Sequence, residues 1–109
     1  MVVILFRSKL TGLAGEDYAA WNAEMAELAR KQPGFLDVKS FHADDGERLT
    51  VVWWSDEETL QQWSRNLRHL EAKRLGRAKW YEYYRMEVAN VTRTSEFTRE
   101  TAEAAGQST

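Results

Sequence analysis

Two apolar stripes with the same spacing, 42 residues apart, most constrain what this chain can fold into. Tyr18, Trp21, Met25 and Leu28 fall at i, i+3, i+7 and i+10, and Leu60, Trp63, Leu67 and Leu70 repeat that spacing. Each stripe predicts a helix that buries one face. Each also lies between strand-like runs. Val2–Lys9 is rich in β-branched residues and reads as a strand. Arg30 and Lys31 suit the negative end of the first helix, and Pro33-Gly34 stops it. Phe35–Ala43 reads as a second strand and Arg48–Trp54 as a third. Between them, Asp44-Asp45-Gly46-Glu47 is a hairpin turn, because Asp-Gly tolerates the positive φ such turns need. Ser55 followed by Asp56-Glu57-Glu58 predicts a capping box for the second helix, with Ser55 at the N-cap and Glu58 at the third position. Gly76 is expected to break that helix. Trp80–Arg93 reads as a last strand crowded with aromatics, and residues 94–109 as a polar tail in which Phe97 is the one large apolar side chain.

The order β-α-β-β-α-β predicts one α+β domain over residues 1–93. The expected plan is ferredoxin-like: a four-stranded antiparallel sheet with two helices on one face. Two helices cover only one face, yet the strands are apolar on both. Val2, Ile4 and Phe6 alternate with Val3 and Leu5, and Leu49, Val51 and Trp53 alternate with Val52 and Trp54. The uncovered face calls for a second copy of the sheet, so a homodimer is expected.

Composition removes several function classes. Fifteen Lys and Arg against seventeen Asp and Glu give a net charge of −2, which argues against nucleic acid or an anionic membrane as partner. The absence of Cys excludes disulfides, thiolate metal sites and Cys nucleophiles. Val2–Phe6 is too short to span a membrane, so the cytoplasm is the expected location. There is no Gly-rich phosphate loop and no G-x-S-x-G motif, so no flavin, nicotinamide or nucleotide cofactor is expected. His42 and His69 are too far apart in sequence for metal-ligand spacing, and no metal is expected either.

Three segments resemble the antibiotic biosynthesis monooxygenase family, whose members form dimeric α+β barrels. They are Gln32-Pro33-Gly34-Phe35-Leu36; Leu49–Glu58 followed by Trp63; and His69–Arg77 running into Trp80-Tyr81-Glu82-Tyr83-Tyr84. Together they span roughly residues 1–95. The resemblance implies a cofactor-independent monooxygenase that uses dioxygen to oxidise a small aromatic molecule, such as a polycyclic phenol, anthrone or hydroquinone, to a quinone. It leaves two alternatives: a non-catalytic dimeric binding or stress-response module, and haem degradation. Haem-degrading members carry a His about ten residues after the helical Trp and an Asn near the end of the first strand. Here those places hold Lys73 and Arg7-Ser8-Lys9, which counts against haem.

Candidate site residues follow from a cavity expected between helices and sheet. Trp63, on the inner stripe, is either core packing or a flat wall for an aromatic substrate. His69, six residues on, lies about −120° away on a continuous helix and is either a surface residue or the base that takes a phenolic proton. Tyr83 is the expected hydrogen-bonding partner from the last strand. His42, beside the hairpin, reads as solvated. Six of the fifteen residues from Arg65 to Lys79 are Lys or Arg, which reads as a solvated face suited to a helix C-terminus.

Overall fold

The β-branched and aromatic runs pair as a sheet in which alternate residues of each strand point to opposite faces. The structure, a computed structural model, describes residues 1–99. In chain order it contains β1 (Val2–Leu10), α1 (Glu16–Arg30), β2 (Phe35–His42), β3 (Arg48–Trp54), α2 (Glu57–Ser64), α3 (Leu67–Leu75), a π-helical turn (Gly76–Trp80) and β4 (Tyr81–Asn90). All pairings are antiparallel, in the order β2-β3-β1-β4. This is the expected α+β ferredoxin-like plan, with three helices where two were expected. Residues 100–109, most of the expected tail, lie outside the described residues. Among the described residues, no helix is long and apolar enough to cross a membrane.

Register sorts the strands into two faces. Val2, Ile4, Phe6 and Ser8 pair with Trp54, Val52, Thr50 and Arg48 on one side, and with Asn90, Val88, Met86 and Tyr84 on the other. This inner face meets the helices. Val2, Ala29, Trp54, Leu60 and Trp63 form the core at one end of it, and Trp54 is completely buried. The α1 stripe turns inward as its spacing dictates, with Tyr18, Trp21, Met25 and Leu28 all half-buried. On the outer face, Val3, Leu5, Leu49 and Trp53 are half-buried around Val51, with Phe41 exposed beside them.

Turn chemistry fixes where the elements meet. Gly34 has φ +85°, and a Cβ there would run into the Thr59 side chain, so only glycine lets the chain pass this close to α2. Its carbonyl accepts from the Ser55 amide at 2.7 Å. Asp56, rather than the expected Ser55, caps α2: its carboxylate accepts from the Thr59 amide at 2.8 Å, one residue further along the chain.

The second helix departs most from expectation. Its stripe predicts one continuous helix, but the chain breaks at Arg65-Asn66, where Asn66 is extended at ψ 130°. Asn66 then caps a new helix, its side chain accepting from the amides of Arg68 and His69. Past the break Leu70 is 45% exposed. The Leu67 side chain lies outside the described residues. Gly76 does not end the helical path but opens the π-helical turn, where a Cβ would sit 2.7 Å from the Tyr81 ring. The turn takes in Trp80, so β4 begins at Tyr81 and ends at Asn90 rather than Arg93.

Candidate functional site

A cavity of about 280 Å³ opens between the inner sheet face and the helices, at the small end of the range for small-molecule sites. One end is aromatic. Trp63, 6% exposed, stacks on Trp54 at 6.3 Å between ring centroids, and His69 stacks on Trp63 at 4.4 Å with the planes 13° apart. The break at Asn66 makes this contact. On an unbroken helix six residues would hold the rings about 9 Å apart along the axis and on flanking faces.

His69 Nδ1 lies 3.2 Å from the Trp63 carbonyl oxygen. A carbonyl can only accept, so the contact assigns the ring proton to Nδ1 and leaves the Nε2 lone pair free. Burial, and next the charge of Lys73, pull the imidazole down from 6.5 to about 4, while the bond to the Trp63 carbonyl opposes them. The ring is therefore neutral at pH 7.

The opposite end is polar. Arg48 Nη1 donates to the Tyr18 hydroxyl at 2.8 Å, and Arg77 Nε donates to the Tyr84 hydroxyl at 2.7 Å. Phe6 packs between Tyr84, stacked at 5.4 Å, and Tyr81, edge-on at 5.6 Å. Burial first, and then Tyr18, push the Tyr81 hydroxyl well above its ordinary value, so it stays protonated. The floor here is pinned to α1. Asp17 accepts from Trp80 Nε1 at 3.2 Å and pairs with Lys79, and these bonds, Lys79 foremost, hold its carboxyl down at about 2.

Trp63 and His69 are thus brought into direct contact on the cavity wall. Tyr83 is not with them. A bulge at the start of β4 pairs Tyr81 with Leu10 and Tyr83 with Lys9, leaving Glu82 as the extra residue. Tyr81 and Tyr84 therefore face the cavity, while Tyr83 turns to the outer face and donates to Glu47 at 2.6 Å. Glu47 also pairs with Arg7 at 3.0 Å, so Tyr83 belongs to a polar rim around the apolar outer patch. His42 is exposed, as expected.

Sequence reasoning missed the polar end. One signal was present: alternation along β3 puts Arg48 and Thr50 on the same face as Val52 and Trp54. For the contact at the aromatic end the signal was Asn66, a preferred cap residue three positions before His69. Among the described residues, no group of three or more His, Asp or Glu is placed to hold a metal ion.

The sequence profile of the antibiotic biosynthesis monooxygenase family matches residues 1–75. The uncharacterized protein YqjZ of Bacillus subtilis (strain 168) is 38% identical over 84 residues, which cover 77% of this chain and 74% of YqjZ. Among solved structures, SnoaB from Streptomyces nogalater, a cofactor-independent oxygenase, superposes with a TM-score of 0.72 at 17% identity, covering 85% of this chain and 94% of SnoaB. Rv0793 from Mycobacterium tuberculosis superposes with a TM-score of 0.75 at 14% identity, covering 87% and 98% of the two chains. At such identities the superpositions establish a shared fold.

Proposed function

Because this chain belongs to the antibiotic biosynthesis monooxygenase family, we propose that it is a cofactor-independent monooxygenase that oxidises a small, electron-rich aromatic molecule to a quinone. The observation that carries this reading is the stacked Trp63–His69 pair, which sets a flat wall beside a neutral imidazole with a free nitrogen. His69 Nε2 takes a proton from the substrate. The resulting enolate passes one electron to dioxygen, and the two radicals combine in a new C–O bond. The peroxide anion takes the proton back from His69, and the hydroperoxide so formed loses water as its O–O and C–H bonds break, leaving a carbonyl. One oxygen atom enters the product and the other leaves as water, so the substrate supplies all the electrons and no other reductant is needed. Trp63, its ring covered by His69, holds the imidazole face-on at the end of the cavity, and the apolar walls keep bulk water from the radicals.

We further infer that a second copy covers the outer face. Val51 is only 8% exposed there, yet the surrounding Val3, Leu5, Leu49 and Trp53 reach solvent, and the polar rim of Arg7, Glu47 and Tyr83 suits the edge of an interface. A cytoplasmic setting belongs to the same proposal.

Oxygen uptake with a panel of anthrones and hydroquinones tests the reaction. Turnover is expected, and His69→Ala should lower it by about 10²–10⁴. Ligand binding without any oxygen uptake would favour a binding module. Full turnover in both His69→Ala and Trp63→Phe would place the site elsewhere.

A further inference from the structure

The charge of the cavity differs in kind from the charge of the molecule. The chain as a whole carries −2. The cavity is lined by three cations, Arg48, Lys73 and Arg77, and by no Asp or Glu. Elsewhere cations find acids: Arg7 pairs with Glu47, Arg68 with Glu24 and Glu71, Lys79 with Asp17, and Arg85 with Glu87. Among the described residues, none of the three cavity cations has a carboxylate within ion-pair distance.

Arg48 is the sharpest case. It is half-buried at the polar end of β3, and its Nε is buried without a hydrogen-bond partner, although Nη1 is bonded to Tyr18. Lys73 and Arg77 add to the same field. They follow His69 at i+4 and i+8, so one side of α3 and the turn after it carries positive charge along the cavity from the aromatic end toward Tyr84. The basic run that reads in sequence as a solvated face thus turns part of itself inward. A cleft lined by one sign of charge concentrates ligands of the other.

We propose that the ligand of this cavity is an aromatic carboxylate, with its rings against the Trp63–His69 wall and its carboxylate received by Arg48. The planar fork of a guanidinium matches a carboxylate in two parallel bonds. Along β3 the inner residues run Arg48, Thr50, Val52, Trp54, from charged to apolar, which is the polarity of such a molecule laid along the strand. This rests on the cavity's being the substrate site of the proposed oxidation.

Calorimetric titration of the full chain with 2-naphthoate and with 2-naphthamide, its neutral counterpart of the same shape, tests the inference. The naphthoate should bind at least about tenfold more tightly. Arg48→Met should weaken naphthoate about tenfold to a hundredfold and leave naphthamide unchanged, while Arg48→Lys recovers part of the loss. Arg77→Gln should weaken naphthoate by a smaller factor, and Arg85→Gln, on the outer face, should change neither ligand. Added salt should weaken naphthoate alone, a readout that holds even if Arg48→Met fails to fold. Equal affinity for the two probes, a folded Arg48→Met that binds naphthoate normally, or no naphthoate binding at about 1 mM would overturn the proposal. Tighter binding of 2-naphthyl phosphate than of naphthoate would overturn the carboxylate. Oxygen uptake separates this from the oxidation itself: naphthoate binding through Arg48 in a chain that oxidises nothing sinks only the reaction, and turnover indifferent to a ring carboxylate sinks only the anion site.

Discussion

Lowering the pH should destabilise this protein through His69, and replacing His69 with Gln should remove that part of the loss. In the unfolded chain the imidazole takes up a proton near pH 6.5, but in the fold, buried against Trp63 and beside Lys73, it resists protonation until about pH 4. Between those values the unfolded state holds more protons, so stability falls as pH falls. The loss begins below about 6.5 and is complete near 4. Two and a half pH units at 1.36 kcal/mol each make it about 3 kcal/mol. Gln keeps a donor for the Trp63 carbonyl but does not titrate. The assay is urea unfolding of both proteins at matched concentration from pH 7.5 to pH 4, taking wild type minus variant at each pH. Acidic groups whose carboxyls are held low, including Asp17, Glu24, Glu47 and Asp56, lose stabilisation in both proteins and cancel in the difference. The variant should gain on wild type by about 3 kcal/mol across the window. Parallel curves would refute the burial argument and with it the neutral imidazole at the site.

The same depressed pKa predicts that kcat/KM for an oxidised substrate holds level on the acid side down to about pH 5 if His69 is the base. A limb near pH 6.5 in the rate profile would point to another base. Light scattering should give about 25 kDa, twice the 12.7 kDa chain. Val51→Asp should split that species or unfold it, since an unpaired charge buried on the outer face costs several kcal/mol, and a stable wild-type monomer at micromolar concentration would sink the dimer. Gly34→Ala should lower stability by about 1–3 kcal/mol in thermal unfolding, because the positive φ and the Thr59 side chain both oppose a methyl group; an unchanged Tm would show that the turn relaxes freely.

The elements themselves were legible from the chain. Helix and strand periods differ, so Tyr18, Trp21, Met25 and Leu28 announce α1, and the alternation of Arg48–Trp54 gives β3 to the residue. Two β-α-β halves and a hairpin leave few ways to close a sheet, which is why the fold was readable. Trp63, too, was legible as an interior residue, because its stripe neighbours Leu60, Leu67 and Leu70 are all apolar. What lines the cavity was only partly readable. A single extra residue, Glu82, reverses strand parity at the start of β4 and turns Tyr81 to the same face as Tyr84, while Tyr83, paired with Lys9, lies on the outer face. Periodicity carries no record of such a bulge, because it is set by how β4 meets Leu10 and the π-helical turn. The stacking of His69 on Trp63 depends likewise on the break at Asn66, where a side-chain cap outweighs a stripe that would otherwise continue. Local spacing thus determined where the strands, α1 and the start of α2 lie, whereas the break at Asn66 and the site, assembled by a bulge, a cap and residues from separate elements, were decided only by the packing that brings them together.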